Sequence, residues 1–245
     1  SGPRGTCPSR ELGAMAALPG CALGNFPDYY AFRNRGGAPD PRLAVMAEHV
    51  DWQGKRVLDL GCNSGSLTLS VASAGCRSVL GADIDPALIR SARARAAEAR
   101  TDAACAGPRV RFICRDMLKL RLARRARFDV VLLLSTSKWL HLQRGDAGLQ
   151  RLFRRCRRWL RPGGLFVLEP QPWKAYKKVA DADADVEATY RSIAMRPTDF
   201  AEFLTDRVGF LREYVWATVN HADESFRRTM LFFWKPLRRA APRPR

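Results

Sequence analysis

Between Asp59 and Gly65 the chain reads Asp-Leu-Gly-Cys-Asn-Ser-Gly, a run of small residues after an apolar segment and before a helical pattern. Such a turn lets the backbone pass close to a ligand, because no bulky side chain stands in the way. A second acid, Asp83, closes another apolar run 24 residues beyond Asp59. A carboxylate at that place can accept from both hydroxyls of a ribose. Asp116 follows a third apolar run, where it can accept from an exocyclic amine or cap a helix. The set points to a nucleoside-bearing ligand. A dinucleotide site would show G-x-G-x-x-G with a pyrophosphate on the helix N-terminus, whereas Asn63 stands here in place of a middle glycine.

These residues need a scaffold that brings several strand ends to one edge. From Leu43 to Leu168 short apolar runs alternate with helical patterns, which predicts a parallel sheet with helices on its faces. The predicted strands are Arg56–Leu60, Ser78–Asp83, Arg109–Cys114, Phe128–Leu134 and Leu165–Glu169, with helices over Ser66–Ala74 and from Pro86 to Arg100. A further helix is expected from Ala147 to Leu160. Its apolar face carries Leu149, Leu152, Phe153, Cys156 and Leu160, and Arg161-Pro-Gly-Gly164 ends it. Its other face, with Arg151, Arg154, Arg155, Arg157 and Arg158, reads as a solvated face rather than an RNA groove. Beyond Pro172 the pattern changes. A loop or short helix over Trp173–Tyr190, a helix over Pro197–Thr205, and strands over Phe210–Val219 and Arg228–Trp234 predict an antiparallel hairpin at the sheet edge. Residues 1–20 read as a disordered segment, 21–237 as one domain, and 238–245 as a basic disordered tail.

The chain has 245 residues, 42 Lys and Arg against 24 Asp and Glu, and a formal charge of +18. That excess repels itself in a compact fold, so a polyanionic partner such as nucleic acid is the natural complement; an arginine-rich composition bias is the plainer source of the same charge. Seven cysteines without a C-x-x-C pair and only three histidines argue against a zinc site. Unpaired thiols suggest a nuclear or cytoplasmic, not secreted, protein. The longest apolar runs are of strand length, too short for a membrane span.

The Asp59–Gly65 turn is similar to the D/E-x-G-x-G-x-G motif of class I methyltransferases. After the fourth strand comes Leu134-Ser-Thr-Ser-Lys-Trp-Leu-His141, without the N/D-P-P-Y/F motif of amino methyltransferases and without the cysteine of cytosine-C5 enzymes. After the fifth comes Glu169-Pro-Gln-Pro-Trp173. Together with Gly24-Asn-Phe-Pro-Asp-Tyr-Tyr-Ala-Phe-Arg33-Asn34 and Ser137–Leu142, these segments resemble the methylphosphate capping enzymes, the bicoid-interacting-protein family of RNA methyltransferases. The likeness runs from about Gly24 to Trp234. It implies a class I Rossmann-like fold, a mostly parallel seven-stranded sheet with an antiparallel C-terminal hairpin, and S-adenosylmethionine as cofactor without a metal. It implies methylation of the 5′-terminal phosphate of a small non-coding RNA by a monomer, with ribonucleoprotein subunits as further partners. Tyr29-Tyr30, Arg33-Asn34, Lys138 and the Arg-rich helix before Arg161-Pro-Gly-Gly look more like enzymes acting on the γ-phosphate of a 5′-triphosphate; Asn25-Phe-Pro27 is closer to those acting on a 5′-monophosphate.

The resemblance also assigns roles. Asp59, Gly61, Cys62, Asn63, Gly65, Asp83, Ile84, Asp116, Met117 and Leu134 line the cofactor, with Asn25 and Tyr30 closing its pocket and Arg33 near its carboxylate. Lys138, His141 and Glu169 are the candidate catalytic residues. Tyr29, Lys138, Trp139, Gln171 and Trp173 are the candidate substrate contacts, the aromatic rings flanking the first base. Plainer readings stand beside these: Tyr29 and Trp139 as core aromatics, His141 as a satisfied structural histidine, Lys138 as a solvated loop charge, Glu169 as a loop cap. Two other functions fit the same fold, an RNA-binding module that keeps the methyltransferase scaffold and a methyltransferase of small molecules or proteins.

Overall fold

A computed structural model of the chain describes residues 29–33, 39–101, 108–123, 127–221 and 223–237. Two short helices lead in, α1 (Tyr29–Arg33) and α2 (Pro41–Ala47), followed by β1 (Arg56–Leu60), α3 (Ser66–Ser73), β2 (Ser78–Asp83), α4 (Pro86–Thr101), β3 (Arg109–Cys114) and β4 (Phe128–Leu134). Then come α5 (Ser137–Trp159), β5 (Leu160–Glu169), α6 (Trp173–Ala180), α7 (Ala184–Ser192), a mixed helical stretch from Pro197 to Val208, β6 (Val215–Thr218) and β7 (Thr229–Trp234). The expected disordered segments, residues 1–20 and 238–245, and the Asn25 assignment lie outside the described residues.

The seven strands form one sheet in the order β3-β2-β1-β4-β5-β7-β6. β1 to β5 run parallel, while β7 pairs antiparallel with both β5 and β6. This is the mostly parallel seven-stranded arrangement of a class I methyltransferase, with the terminal hairpin turned against the rest. Side chains alternate along each strand, so both faces are covered. Leu58, Leu60, Val131, Leu133, Phe166, Leu168 and Phe233 pack with α5 on one side. Val57, Val79, Val130, Leu132, Val167 and Phe232 pack with α2 and α3 on the other.

Several elements differ from the sequence expectations. The α5 helix begins at Ser137, ten residues earlier than expected, because Gly145 adopts φ 58° and joins two helical pieces across a kink. Lys138 and His141 therefore sit on a helix, not in a loop. The β5 strand begins at Leu160, with a register shift opposite Phe128–Val130 accommodating Arg161–Gly164. The first hairpin strand is confined to Val215–Thr218, and α6 and α7 make two helices of the stretch expected as a loop or one short helix.

Candidate active site

The carboxyl ends of β1, β2 and β4 meet where strand order reverses, the place where open α/β sheets bind ligands. Gly61 and Gly65 take φ 77° and 78° in the β1–α3 turn, and a methyl group on Gly61 would lie 2.3 Å from Oγ1 of Thr136. Asn63 takes φ 51°, a left-handed conformation that asparagine tolerates better than most residues, which explains how it replaces a glycine. Every amide from Gly61 to Gly65 donates within the protein: Gly61 and Cys62 to the Ala82 carbonyl, Asn63 to Oδ2 of Asp83, Ser64 to Oδ1 of Asn63, and Gly65 to the Cys62 carbonyl. The turn offers no row of open N–H groups for a pyrophosphate.

Asp83 accepts at one oxygen from Asn63 and at the other from the Asp85 amide, with the Ile84 amide also acting on the carboxylate, which as a four-site acceptor can still take a hydroxyl donor. Burial raises its pKa. Beside it Ile84 is 39% exposed, an uncovered apolar side chain at a strand end. Met117 is half-buried, and Asp116 accepts from the Leu118 amide through Oδ1 within a turn; no helix follows it directly among the described residues, so it is not the helix cap of the alternative reading. A ribose between Asp83 and the turn, with an adenine along Ile84 and Met117 toward Asp116, fits this donor and acceptor set. Asp59 is buried, accepts from the Thr68 hydroxyl at 2.6 Å, and is pushed up to about 6 by burial. Cys62 and Leu134 are buried beside the turn, the thiol of Cys62 pushed well up by burial. Tyr30 is half-buried and its hydroxyl pKa is likewise raised by burial.

A second cluster occupies the ends of β4 and β5. Glu169 is 0% exposed and binds Arg33 through Oε1 at 2.9 Å and Arg42 through Oε2 at 3.2 Å. Arg42 also pairs with Asp40, which caps α2. The two guanidinium groups overcome the desolvation of Glu169 and hold it at about 2. Ser135, at φ 55°, donates its hydroxyl to Glu169 and accepts from the Tyr29 hydroxyl at 3.1 Å and from Arg228 at 2.8 Å. A non-glycine residue held in that conformation stores strain of the kind found at functional sites.

Several expected roles are corrected here. Arg33 is 1% exposed and spends its terminal nitrogens on Tyr29 and Glu169, so it holds the N-terminal helix to the sheet rather than offering a fork to a cofactor carboxylate. Glu169 is an ion-pair centre with no face toward a substrate. His141 is 0% exposed. Its Nε2 lies 2.7 Å from Asp146, which can only accept, so Nε2 carries the proton and Nδ1 accepts from the Tyr176 hydroxyl. Burial lowers its pKa, and Asp146 also accepts from the Ala194 and Met195 amides, so this pair pins the chain after α7 to α5. Trp139 is core, packed with Leu142, Tyr176 and Val179. Trp173 stacks on Tyr190 at 4.6 Å and lies under the Arg196 guanidinium. Gln171 is buried, accepting from the Lys138 amide and donating to the Ser135 carbonyl, so it shapes the β4–α5 turn instead of reaching a substrate.

Lys138 was the other expected phosphate contact. It is 8% exposed, its Nζ donates to the Ala175 carbonyl at 3.3 Å and lies over Trp139, and burial together with the charges of Arg228 and Lys178 lowers it to about 7. Asp40, Arg42, Ser135 and Arg228 were missed from sequence. Only Asp40-Pro41 carried a local signal, a capping acid before a proline at the helix start. The partners of the others are set by strand order. Among the described residues no group of three or more His, Cys, Asp or Glu is arranged for a metal, and no helix is long and apolar enough to cross a membrane.

Residues 128–235 match the family model described as Bicoid-interacting protein 3 (Bin3), and residues 57–164 match that of a methyltransferase domain. The chain is 34% identical to a probable RNA methyltransferase of Arabidopsis thaliana, over 87% of this chain and 80% of that one. It is 35% identical to the 7SK snRNA methylphosphate capping enzyme of Mus musculus over 86% of its own length, but spans 40% of that protein. It is 31% identical to an RNA 5′-monophosphate methyltransferase of Pongo abelii, over 66% of this chain and 62% of that one. Among solved structures, a magnesium protoporphyrin IX methyltransferase from Synechocystis with bound SAM superposes with a TM-score of 0.58 at 14% identity, over 96% of this chain and all of that one, a likeness of fold.

Proposed function

The chain belongs to the Bin3 family of methyltransferases, and from that premise we propose that it is an S-adenosylmethionine-dependent enzyme that O-methylates the 5′-terminal phosphate of RNA, the γ-phosphate of a 5′-triphosphate first. The observation that carries this reading is the state of the acid and base groups at the acceptor edge. Glu169 is consumed by two arginines and His141 is sealed against Asp146, while the Lys138 amine lies within electrostatic reach of the Arg228 guanidinium. An edge without an open carboxylate or imidazole from this pair suits a nucleophile that arrives already ionised. A phosphate oxygen does so at pH 7, where a hydroxyl or amine would need its proton removed.

The cofactor supplies an electrophilic methyl on a sulfonium sulfur. Asp83 accepts the ribose hydroxyls, and Ile84 and Met117 flank the base with Asp116 at its amine edge. Lys138 and Arg228 hold the phosphate oxygens that do not attack; clamping the attacking oxygen itself would blunt its nucleophilicity. Catalysis is then largely alignment and charge balance. The triphosphate preference draws on the higher identity of the methylphosphate capping relative, 35% against 31%, over more of this chain, 86% against 66%, although less of that relative's own length is spanned, 40% against 62%.

The test is transfer of labelled methyl to one RNA body bearing a 5′-triphosphate, a 5′-monophosphate or a 5′-hydroxyl. Labelling is expected for the triphosphate, weaker labelling for the monophosphate and none for the hydroxyl. Equal labelling of all three would reject the reading.

A further inference from the structure

After β3, residues 118–123 lie along α5. Arg155 of α5 fastens them, donating from Nη1 to the Leu118 carbonyl at 2.8 Å and from Nη2 to that of Leu120. Between this stretch and the end of α5 lies a cleft of about 550 Å³ lined by Arg121, Arg127, Arg155, Arg158 and Trp159 over an apolar floor that includes Leu122. Among the described residues no carboxylate lines it. Arg121, Arg127 and Arg158 are exposed, and the Arg155 guanidinium lies over the Trp159 ring at 4.9 Å.

The cleft lies at the start of β4, the far end from Ser135. Seven residues of β4 at roughly 3.3 Å each put it on the order of 23 Å from the acceptor edge. It is therefore separate from the 5′-phosphate site. We propose that this cleft grips the phosphodiester backbone of the substrate RNA downstream of its 5′ end. The proposal rests on the reading of the substrate as RNA.

Like charges gathered without an acid among them favour an anion. The same field is felt within the protein: burial, then the charges of Arg151 and Arg158, lower the Arg155 pKa. Guanidinium forks match phosphate oxygens in pairs, and a positively charged groove is what tracks the backbone of single-stranded RNA. Two contact regions on one RNA would also give the chain's +18 charge a place to act, since a terminal phosphate alone needs few cations.

The experiment uses Arg121→Ala/Arg158→Ala, two exposed side chains away from the cofactor and acceptor groups. Fluorescence anisotropy measures binding of an RNA of about 30 nucleotides bearing a 5′-hydroxyl, between about 50 and 200 mM salt. Affinity is expected to fall about ten-fold and the salt slope by about 1.4, the release of roughly 0.7 counterion per lost contact to a single strand. Melting temperature should not change. In methyl transfer the KM for a long 5′-phosphorylated RNA should rise with kcat retained, while a 5′-phosphorylated trinucleotide, too short to reach the cleft, is methylated as before.

Unchanged affinity and slope would overturn the proposal. So would binding of polyglutamate as tight as RNA and equally lost in the variant, which would make the cleft a docking place for acidic protein. If no RNA is methylated by either protein but binding of the 5′-hydroxyl RNA still weakens in the variant, the cleft stands and the reading of the reaction fails.

Discussion

The hydroxyl of Ser135 donates to Oε2 of Glu169 at 2.6 Å, joining the ends of β4 and β5 across one hydrogen bond. The Ser135 amide also donates to the Glu169 carbonyl. Through the same serine pass Tyr29 of α1 and Arg228 from the approach to β7. The N-terminal helix, the central strands and the terminal hairpin, distant in sequence, are thus tied at one point beside the cofactor turn. Arg33 reaches further, since its carbonyl accepts from His221 at 2.6 Å. The acceptor edge is therefore rigid before any ligand arrives, the condition for catalysis by alignment.

Glu169→Gln tests that tie. It leaves Arg33 and Arg42 buried against a neutral amide, and breaking a buried ion pair by changing one partner costs about 3–5 kcal/mol. Urea unfolding should register that loss. Because the folded value of Glu169 is held at about 2 against an ordinary 4.5, its contribution is present above pH 4.5 and lost as pH falls toward 2. It amounts to on the order of 3 kcal/mol, and the variant's acid-unfolding curve should be flatter over that window. A variant as stable as the parent would contradict the network.

Lys138 makes a separate prediction about pH. Its value near 7 means that in the free protein the stability it contributes is full above about 10.5 and is lost as pH falls to about 7, since the unfolded chain takes up the proton first. A phosphate placed beside the amine favours its charged form. RNA binding at about pH 8 should therefore take up close to one proton, read by calorimetry in two buffers of different ionisation enthalpy. Lys138→Met should abolish the uptake and raise the RNA KM about 10- to 100-fold, the worth of one charged hydrogen bond, without lowering the melting temperature.

Strand periodicity made most of this sheet readable from the chain: β1 to β4 begin and end where the apolar runs do. The cofactor turn was readable too, because Asp59, Gly61, Gly65 and Asp83 are fixed by local geometry. The acceptor edge was not. His141 and Asp146 pair across the kink that Gly145 makes in α5, and nothing in the local pattern signals that kink. Arg33 and Glu169, 136 residues apart, meet only because α1 folds over β5. Residue type suggested chemistry for Glu169 and Gln171, whereas both are buried and hydrogen-bonded within the frame. A motif marks where a family concentrates its constraints, and here many of those constraints are structural.

For Asp83 the expectation is loss of cofactor affinity. Asp83→Asn removes the charge and one acceptor from the carboxylate that faces the ribose position, while the amide oxygen can still accept from the Asn63 or Asp85 amide. Calorimetry with S-adenosylhomocysteine should show binding weakened about 10- to 100-fold, the range for one hydrogen bond to a charged group. Binding of 5′-hydroxyl RNA should not change. Equal weakening of both ligands would mean that the substitution disturbs the fold rather than the cofactor pocket.

Asn63 separates backbone from side chain at the cofactor turn. Its φ of 51° is a conformation that glycine enters freely and alanine does not, and its Oδ1 accepts from the Ser64 amide at 2.7 Å. Asn63→Gly keeps the conformation and loses that hydrogen bond, so a cost near 1 kcal/mol is expected with cofactor affinity retained. Asn63→Ala loses the hydrogen bond and adds roughly 1–2 kcal/mol of left-handed strain, so it should unfold at lower urea and bind S-adenosylhomocysteine more weakly. Urea midpoints and calorimetry on the two variants decide the matter. If glycine weakens cofactor binding as much as alanine, the asparagine side chain itself contacts the ligand, and its conformational tolerance is not what suits it to this turn.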